Sequence, residues 1–174
     1  MRPIPILETP RLTLRPHRRE DLGPSAAMWA DPRITRYIGG KPFSRQDCWF
    51  KILRYLGHWA LMGYGYWAVE EKASARFVGE LGFADFQRPL DPPPDGIPEI
   101  GWALVPDAHG QGYATEALRC ILSWGDAHLA APRTFCLISP ANLPSLRLAE
   151  KLGYRKIREI TLAGDAVSLF DRAR

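Results

Sequence analysis

The run Val105-Pro106-Asp107-Ala108-His109-Gly110-Gln111-Gly112-Tyr113-Ala114-Thr115-Glu116-Ala117 limits what this chain can become more than any other stretch of it. A strand-like segment, Glu99 to Val105, stops at Pro106, which has no amide to give to a ladder. Two glycines then permit a tight turn, and a segment from Thr115 to Leu129 follows at once with Leu118, Ile121, Leu122 and Leu129 on one helical face. The first-turn amides of such a helix have no internal partners. With the positive end of the helix dipole they converge on a point suited to a phosphate or pyrophosphate. Two glycines alone occur more often in plain connections, so the run needs support from elsewhere. It is not a dinucleotide fingerprint, because Thr115 stands where a small final residue is needed, and no Gly-Lys precedes Ser or Thr as a Walker loop requires.

The surrounding pattern supplies a frame. Arg11 to Pro16 alternates apolar and polar residues as a half-buried strand does. Arg-Glu-Asp at 19–21, with its two acidic residues, opens a short helix through Met28 and Trp29, and Ser44 caps a longer one that ends at Gly63 and Gly65. Residues 66–70 and 76–86 read as a hairpin, and 133–139 as a buried strand. Asn142 caps a helix with Pro144 in its first turn and Gly153 at its end, and 154–160 and 165–170 close the chain as strands. Residues 87–98 hold five prolines and a glycine, which fits either a stiff surface loop beside the site or a plain connector. About seven strands mixed with helices, without regular βαβ alternation, predict an α+β domain with a mixed sheet.

Composition narrows the class. With 174 residues, 46% of them hydrophobic, the chain suits one globular domain spanning 1–174. The net charge of +4 is scattered, as an anionic small ligand permits and a nucleic-acid binder rarely shows. Cys48, Cys120 and Cys136 have no metal-type spacing and an odd count, so reduced thiols and no metal are expected. The N-terminus lacks the apolar run of a signal peptide, and no segment has the ~20 apolar residues of a membrane span, which predicts a cytoplasmic protein.

The glycine run resembles the coenzyme A pyrophosphate motif of the GNAT superfamily of N-acetyltransferases, Arg/Gln-x-x-Gly-x-Gly/Ala, with Gly112 and Ala114 matching and His109 departing from the leading position. Its continuation, Gly-Tyr-Ala-Thr-Glu-Ala, is similar to the branch containing the ribosomal-protein alanine N-acetyltransferases. Four further segments resemble that branch in order: Thr9 to Pro16, Phe77 to Phe83, Glu99 to Trp102, and Asn142-x-x-Ser145 with Glu150 to Tyr154. Five ordered matches over nearly the whole chain are far more specific than any one.

The resemblance implies a mostly antiparallel sheet with helices on both faces and a splayed strand pair, Leu104–Val105 against Leu137–Ile138, that holds the pantetheine arm of acetyl-coenzyme A. Backbone groups of Leu104 and Val105 would bind the arm, and His109, Gly110, Gln111, Gly112, Tyr113, Ala114 and Thr115 would form the phosphate cradle. Glu99 is the candidate general base, with a solvated strand-end carboxylate as the bland alternative; Glu80 is a weaker candidate. Asn142 serves as a helix cap, a pantetheine ligand, or both. The family's usual tyrosine seven residues later is Ala149 here, so Ser145 takes the role of donor to the departing thiolate. Trp102, Tyr37, Trp67 and Phe86 are either core or acceptor-pocket walls. The expected reaction is direct acetyl transfer to a primary amine, on a protein N-terminus or a small molecule, by a monomer or homodimer. A non-catalytic acyl-coenzyme A sensor is the competing reading.

Overall fold

A computed structural model describes residues 3–91 and 96–174. The strands are β1 (Leu7–Glu8), β2 (Leu12–Arg15), β3 (Tyr66–Glu71), β4 (Phe77–Ala84), β5 (Glu99–Leu104), β6 (Arg133–Ile138), β7 (Arg155–Leu162) and β8 (Asp165–Ala173). The helices are α1 (Leu22–Ala30), α2 (Pro32–Thr35), α3 (Arg45–Met62), α4 (Tyr113–His128) and α5 (Leu143–Lys151). The strands form one sheet in the order β1-β2-β3-β4-β5-β6-β8-β7. Every described neighbouring pair is antiparallel except β5 and β6. The eighth strand, beyond the seven expected, is the two-residue β1, too short between prolines to show a period.

Local chemistry accounts for the helices. Ser44 and Asp47 form a reciprocal capping box at the start of α3, and Gly63 ends that helix in the left-handed region at φ 74°. The short α2 begins at Asp31, whose side chain accepts from the Arg33 amide, with Pro32 in the first turn. Strand register sets the two faces of the sheet. Trp67, Leu81, Ile100 and Leu104 pack with Leu118, Ile121 and Leu122 of α4. Ala68 and Ala103, on the opposite face, pack with Met28 and Trp29 of α1 and Cys48 of α3. Side chains alternate along a strand, so Glu80 and Glu99 necessarily point to the α1–α3 face. Asp21, just before α1, takes two 2.8 Å bonds from Arg15 of β2, a buried pair that fixes α1 against the sheet. No helix among the described residues is long and apolar enough to cross a membrane. Of the proline-rich segment, residues 92–95 lie outside the described residues.

Candidate active site

β5 and β6 pair at one register position only, Glu99 with Phe135, reinforced by the Phe135 amide donating to Pro98 O at 3.1 Å. Beyond it the two parallel strands part, which is the splay the resemblance implied. On its other side β5 runs in unbroken register with β4 from Glu99 to Leu104, and the Val105 amide extends that ladder by donating to Val78 O at 2.9 Å. Backbone groups alternate direction along a strand, so this ladder turns those of Trp102 and Leu104 into the gap. Val105 departs from expectation. Its amide is spent on Val78 and its carbonyl accepts from the Ala108 amide at 2.9 Å, so only the second lone pair of that carbonyl is left for a ligand.

The gap leads to the start of α4. Gly110 and Gly112 sit at φ 74° and 80°, and a side-chain carbon at either would meet no close obstruction, so they are required for conformation and not for space. The helix begins at Tyr113, one half-turn before the expected Thr115, with Gly112 as a cap that has no side chain to give. The first intrahelical bond in this turn runs from the Glu116 amide to Gly112 O at 3.0 Å. The amides of Tyr113, Ala114 and Thr115 therefore open outward from the helix end. The Tyr113 side chain is buried and its hydroxyl donates to Glu71, so this residue can add only its backbone to the cradle. Gln111 also turns away, its Nε2 donating to Asp107 O at 2.5 Å.

The cradle is clamped to the opening of the chain. Glu116 Oε1 accepts from Thr9 Oγ1 at 2.6 Å and from the Arg11 amide at 2.9 Å, while its Oε2 accepts from Arg11 Nε at 2.7 Å. The Arg11 guanidinium lies over the Tyr113 ring at 4.4 Å and donates to Gln111 O at 3.0 Å. His109 folds back: its Nε2 donates to Leu104 O at 3.0 Å, across the mouth of the gap. A cavity of about 760 Å³ joins these parts, lined among others by Leu104, His109, Gly110, Gly112, Ala114 and Thr115. Arg33 and Arg36 close it from the α2 side. Arg33 is paired with Asp31 at 2.7 Å, whereas Arg36 is stacked on Tyr37 and has no carboxylate partner among the described residues. Sequence reading missed both arginines, although Asp31-Pro32 is a legible helix start.

A second cavity, of about 380 Å³, adjoins the first on the α1–α3 side, and both are lined by Tyr37, Ile38, Trp102, Ala103, Asn142 and Ser145. Glu99 lines the smaller one and is buried, with Arg88 gripping both its oxygens at 2.6 and 3.0 Å. The solvated alternative for Glu99 is thus excluded. Burial pushes its carboxyl above the usual carboxylate range, and the Arg88 charge only partly pulls it back. Arg88 reaches it from a turn built by Asp85, which accepts from the Gln87 amide at 3.0 Å. Gly101 leaves room for the Tyr66 hydroxyl, because a side-chain carbon there would lie 2.0 Å from that oxygen. Burial, then the nearby Glu99 charge, raise the Tyr66 phenol, which stays protonated.

Glu80 is closed off. It is fully buried and accepts from Ser25 at 2.5 Å, Trp29 at 2.9 Å and Tyr55 at 3.2 Å, so it serves as a structural carboxylate and not as the base. Asn142 Oδ1 caps α5 by accepting from the Ser145 amide at 3.3 Å, which leaves its NH₂ for the gap. Ser145 Oγ accepts from Trp102 Nε1 at 3.3 Å, and Ala149 is buried in the core where the family tyrosine would stand. Trp102, Tyr37 and Phe86 line the smaller cavity; Trp67 is core.

Comparison with known proteins agrees with this geometry. Residues 11–155 match the model of the acetyltransferase (GNAT) domain. An uncharacterized N-acetyltransferase, p20, of Bacillus licheniformis is 28% identical over 86% of this chain and 82% of its own. A structure described as a GNAT-family acetyltransferase from Bordetella pertussis superposes with a TM-score of 0.85 at 31% identity, covering 98% of this chain and all of that one. A ribosomal L7/L12 α-N-protein acetyltransferase, solved in complex with coenzyme A, shares the fold with a TM-score of 0.80 at 14% identity, over 97% and 98% of the two chains. A strand pair that opens after one register position, an uncapped helix start at its mouth and a family match over most of the chain have one reading: this chain belongs to the GNAT family and is an acyltransferase.

Proposed function

We propose that the chain transfers acetyl from acetyl-coenzyme A to a primary amine by direct attack. The observation that carries this reading is the continuity of three parts: uncapped amides at α4, a β5–β6 gap edged by backbone groups, and a cavity beyond it with a buried carboxylate. A long ligand with phosphates at one end and a reactive group at the other fits such a path. The amides of Tyr113, Ala114 and Thr115 would hold the pyrophosphate, with Arg36 adding charge that the motif's leading residue, His109, does not supply here. Trp102 and Leu104 backbone groups and the Asn142 NH₂ would hold the arm; for Leu104 O to accept from it, His109 must yield that contact. The bound co-substrate supplies a thioester, whose acyl carbon is open to attack by an amine.

The chain's own residues manage protons. Glu99 takes the proton lost by the amine as the C–N bond forms, and Arg88 keeps its oxygens oriented. As the C–S bond breaks, sulfur leaves as a thiolate hydrogen-bonded by Ser145. The indole N–H of Trp102 can only donate, so it fixes the Ser145 oxygen as acceptor and frees the hydroxyl proton for that bond. A thiol has a pKa of about 8.5, so a donor suffices without full proton transfer. A protein α-amine, with pKa about 7.7–8.0, needs only a modest base, whereas a lysine near 10.4 demands about 4–5 kcal/mol for deprotonation. A peptide N-terminus thus asks least of Glu99, and a more basic amine asks correspondingly more of it. Buried Cys48 and Cys136, unpaired, fit a reducing cytoplasm.

The test is thiol release from acetyl-coenzyme A with a panel of amines and N-terminal peptides, run beside calorimetric binding of coenzyme A. Amine-dependent release with stoichiometric acetylated product is expected. Tight binding without release from any amine would leave a coenzyme A sensor in place of an enzyme.

A further inference from the structure

The floor of the smaller cavity is more basic than acyl transfer to an amine requires. Lys51 and Tyr55 are four residues apart on α3 and share one face. The Lys51 ammonium sits 4.0 Å from the centre of the Trp29 ring, 5.3 Å from Tyr55 and 5.4 Å from Phe43, inside a three-sided aromatic box. Arg54, at the rim, lies 5.2 Å from Phe86 and 5.8 Å from Tyr55. All of these residues line the same cavity.

The charges do not cancel locally. Arg88 is spoken for by Glu99. Glu80 lies beneath Lys51 and attracts it, but its oxygens are already bonded to Ser25, Trp29 and Tyr55. Among the described residues neither Lys51 nor Arg54 has a carboxylate within ion-pair distance. Three cations against two carboxylates leave an excess positive charge in a confined, aromatic-walled space, where a field is focused instead of screened. A cationic amine alone would be repelled by such a site. A ligand with its own negative charge would be drawn in and would complete it.

We propose that the acceptor is a small amino acid-like molecule whose carboxylate is bound by Lys51 and Arg54 while its amine faces Glu99. The proposal rests on the acetyl-transfer reading and narrows its substrate class. The cavity, at about 380 Å³, is near the small end of ligand pockets and suits one compact molecule. The ion pairs orient the acceptor with its amine away from the basic floor. The transfer balances as before: one C–N bond replaces one C–S bond, with the amine proton passing to Glu99.

A matched panel separates the possibilities. Each of several amino acids is compared with its own carboxamide as acceptor, in the intact enzyme and in Lys51→Met and Arg54→Gln. Carboxamides are the stricter control, because losing the carboxylate makes the amine easier to deprotonate. The expected kcat/KM ratio, carboxylate over carboxamide, is about tenfold or more, the low end for a hydrogen bond to a charged group, and it collapses toward one in Lys51→Met. Arg54→Gln, at an exposed position that tolerates change, lowers the same ratio. Binding of the N-acetylated amino acids, followed by tryptophan fluorescence and calorimetry, gives a readout that needs no turnover. Equal use of carboxamides, with a ratio unmoved by Lys51→Met, would overturn the proposal and leave acetyl transfer standing. If no amine is acetylated but these carboxylates bind in a Lys51-dependent way, the anion site holds and the acetyl-transfer reading falls.

Discussion

Trp102 Nε1 donates to Ser145 Oγ across 3.3 Å, joining β5 to α5 at the point where the two cavities meet. The contact gives the serine hydroxyl one direction left in which to donate. Ser145→Ala is expected to lower single-turnover acetyl transfer by about ten- to a hundredfold, the low end for a proton donor because the leaving group is a thiolate. Trp102→Phe, which keeps the ring and removes the indole donor, should produce a smaller loss in the same assay. Equal rates in all three proteins would remove Ser145 from the chemistry.

Glu99 sets the acid limb of the rate profile. Its carboxyl is raised by burial and lowered by Arg88, with burial winning. The acid limb of kcat/KM should therefore lie above the ordinary Glu value of about 4.3. Glu99→Gln should lower kcat/KM by about a hundredfold or more and flatten that limb. Arg88→Met, by deleting the opposing charge, should move the limb to still higher pH. A shift toward lower pH in Arg88→Met would contradict the assignment.

Lys51 predicts a different pH effect, on selectivity. Burial outweighs the attraction of Glu80 and, with help from the Arg54 and Arg88 charges, lowers its pKa to about 8; Cys48 and Tyr55 on the same helix and His17 from the opening of the chain are the other titratable neighbours. The ammonium is present below that value and lost above it. Preference for a carboxylate-bearing acceptor over its carboxamide should fall as pH rises through about 8, with Arg54 keeping a remainder. A preference constant from pH 7 to 10 would place the anion elsewhere.

Glu116 holds the cradle helix to Thr9 and Arg11, residues more than a hundred positions earlier. Burial pushes its carboxyl up, but these bonds outweigh it and hold the group below its ordinary value. Its stabilising effect is complete above the unfolded pKa and is lost as pH falls through the folded one. Glu116→Ala should cost about 1–3 kcal/mol of stability at neutral pH, read by denaturant unfolding, because a charged hydrogen-bond hub is removed. Coenzyme A affinity should weaken with it. At a pH below the folded value the two proteins should converge in stability.

The parts of this site that were legible in the sequence are those where backbone conformation and residue type are tied together. Gly110, Gly112 and Pro106 can do little else in that order, so the turn into α4 was readable and the helix start moved by two residues, from Thr115 to Tyr113. Glu99 followed from its position at a strand start. The resemblance alone pointed to the Val105 backbone, and residue type does not say which neighbour receives its amide; in the fold Val78 does. Lys51 and Arg54 were invisible because α3 is recognised by its apolar residues, and a basic residue between them looks solvated. Arg88 could not be paired with Glu99 through a proline-rich segment whose path has no period. The same limit hid Arg36, which depends on the four-residue α2 for its place.

Calorimetric titration of coenzyme A, into the intact protein and into Gly112→Val, followed by acetyl transfer to an amine in the same preparations, tests the central claim most directly. Gly112 holds φ 80°, which valine resists, so the substitution disturbs the amides of Tyr113, Ala114 and Thr115 at their source. The account predicts stoichiometric binding and amine-dependent acetylation by the intact protein, with affinity reduced at least about tenfold in the folded variant, as expected when several charge-assisted hydrogen bonds are lost. Undiminished affinity in folded Gly112→Val, or no coenzyme A binding by the intact protein, would contradict it.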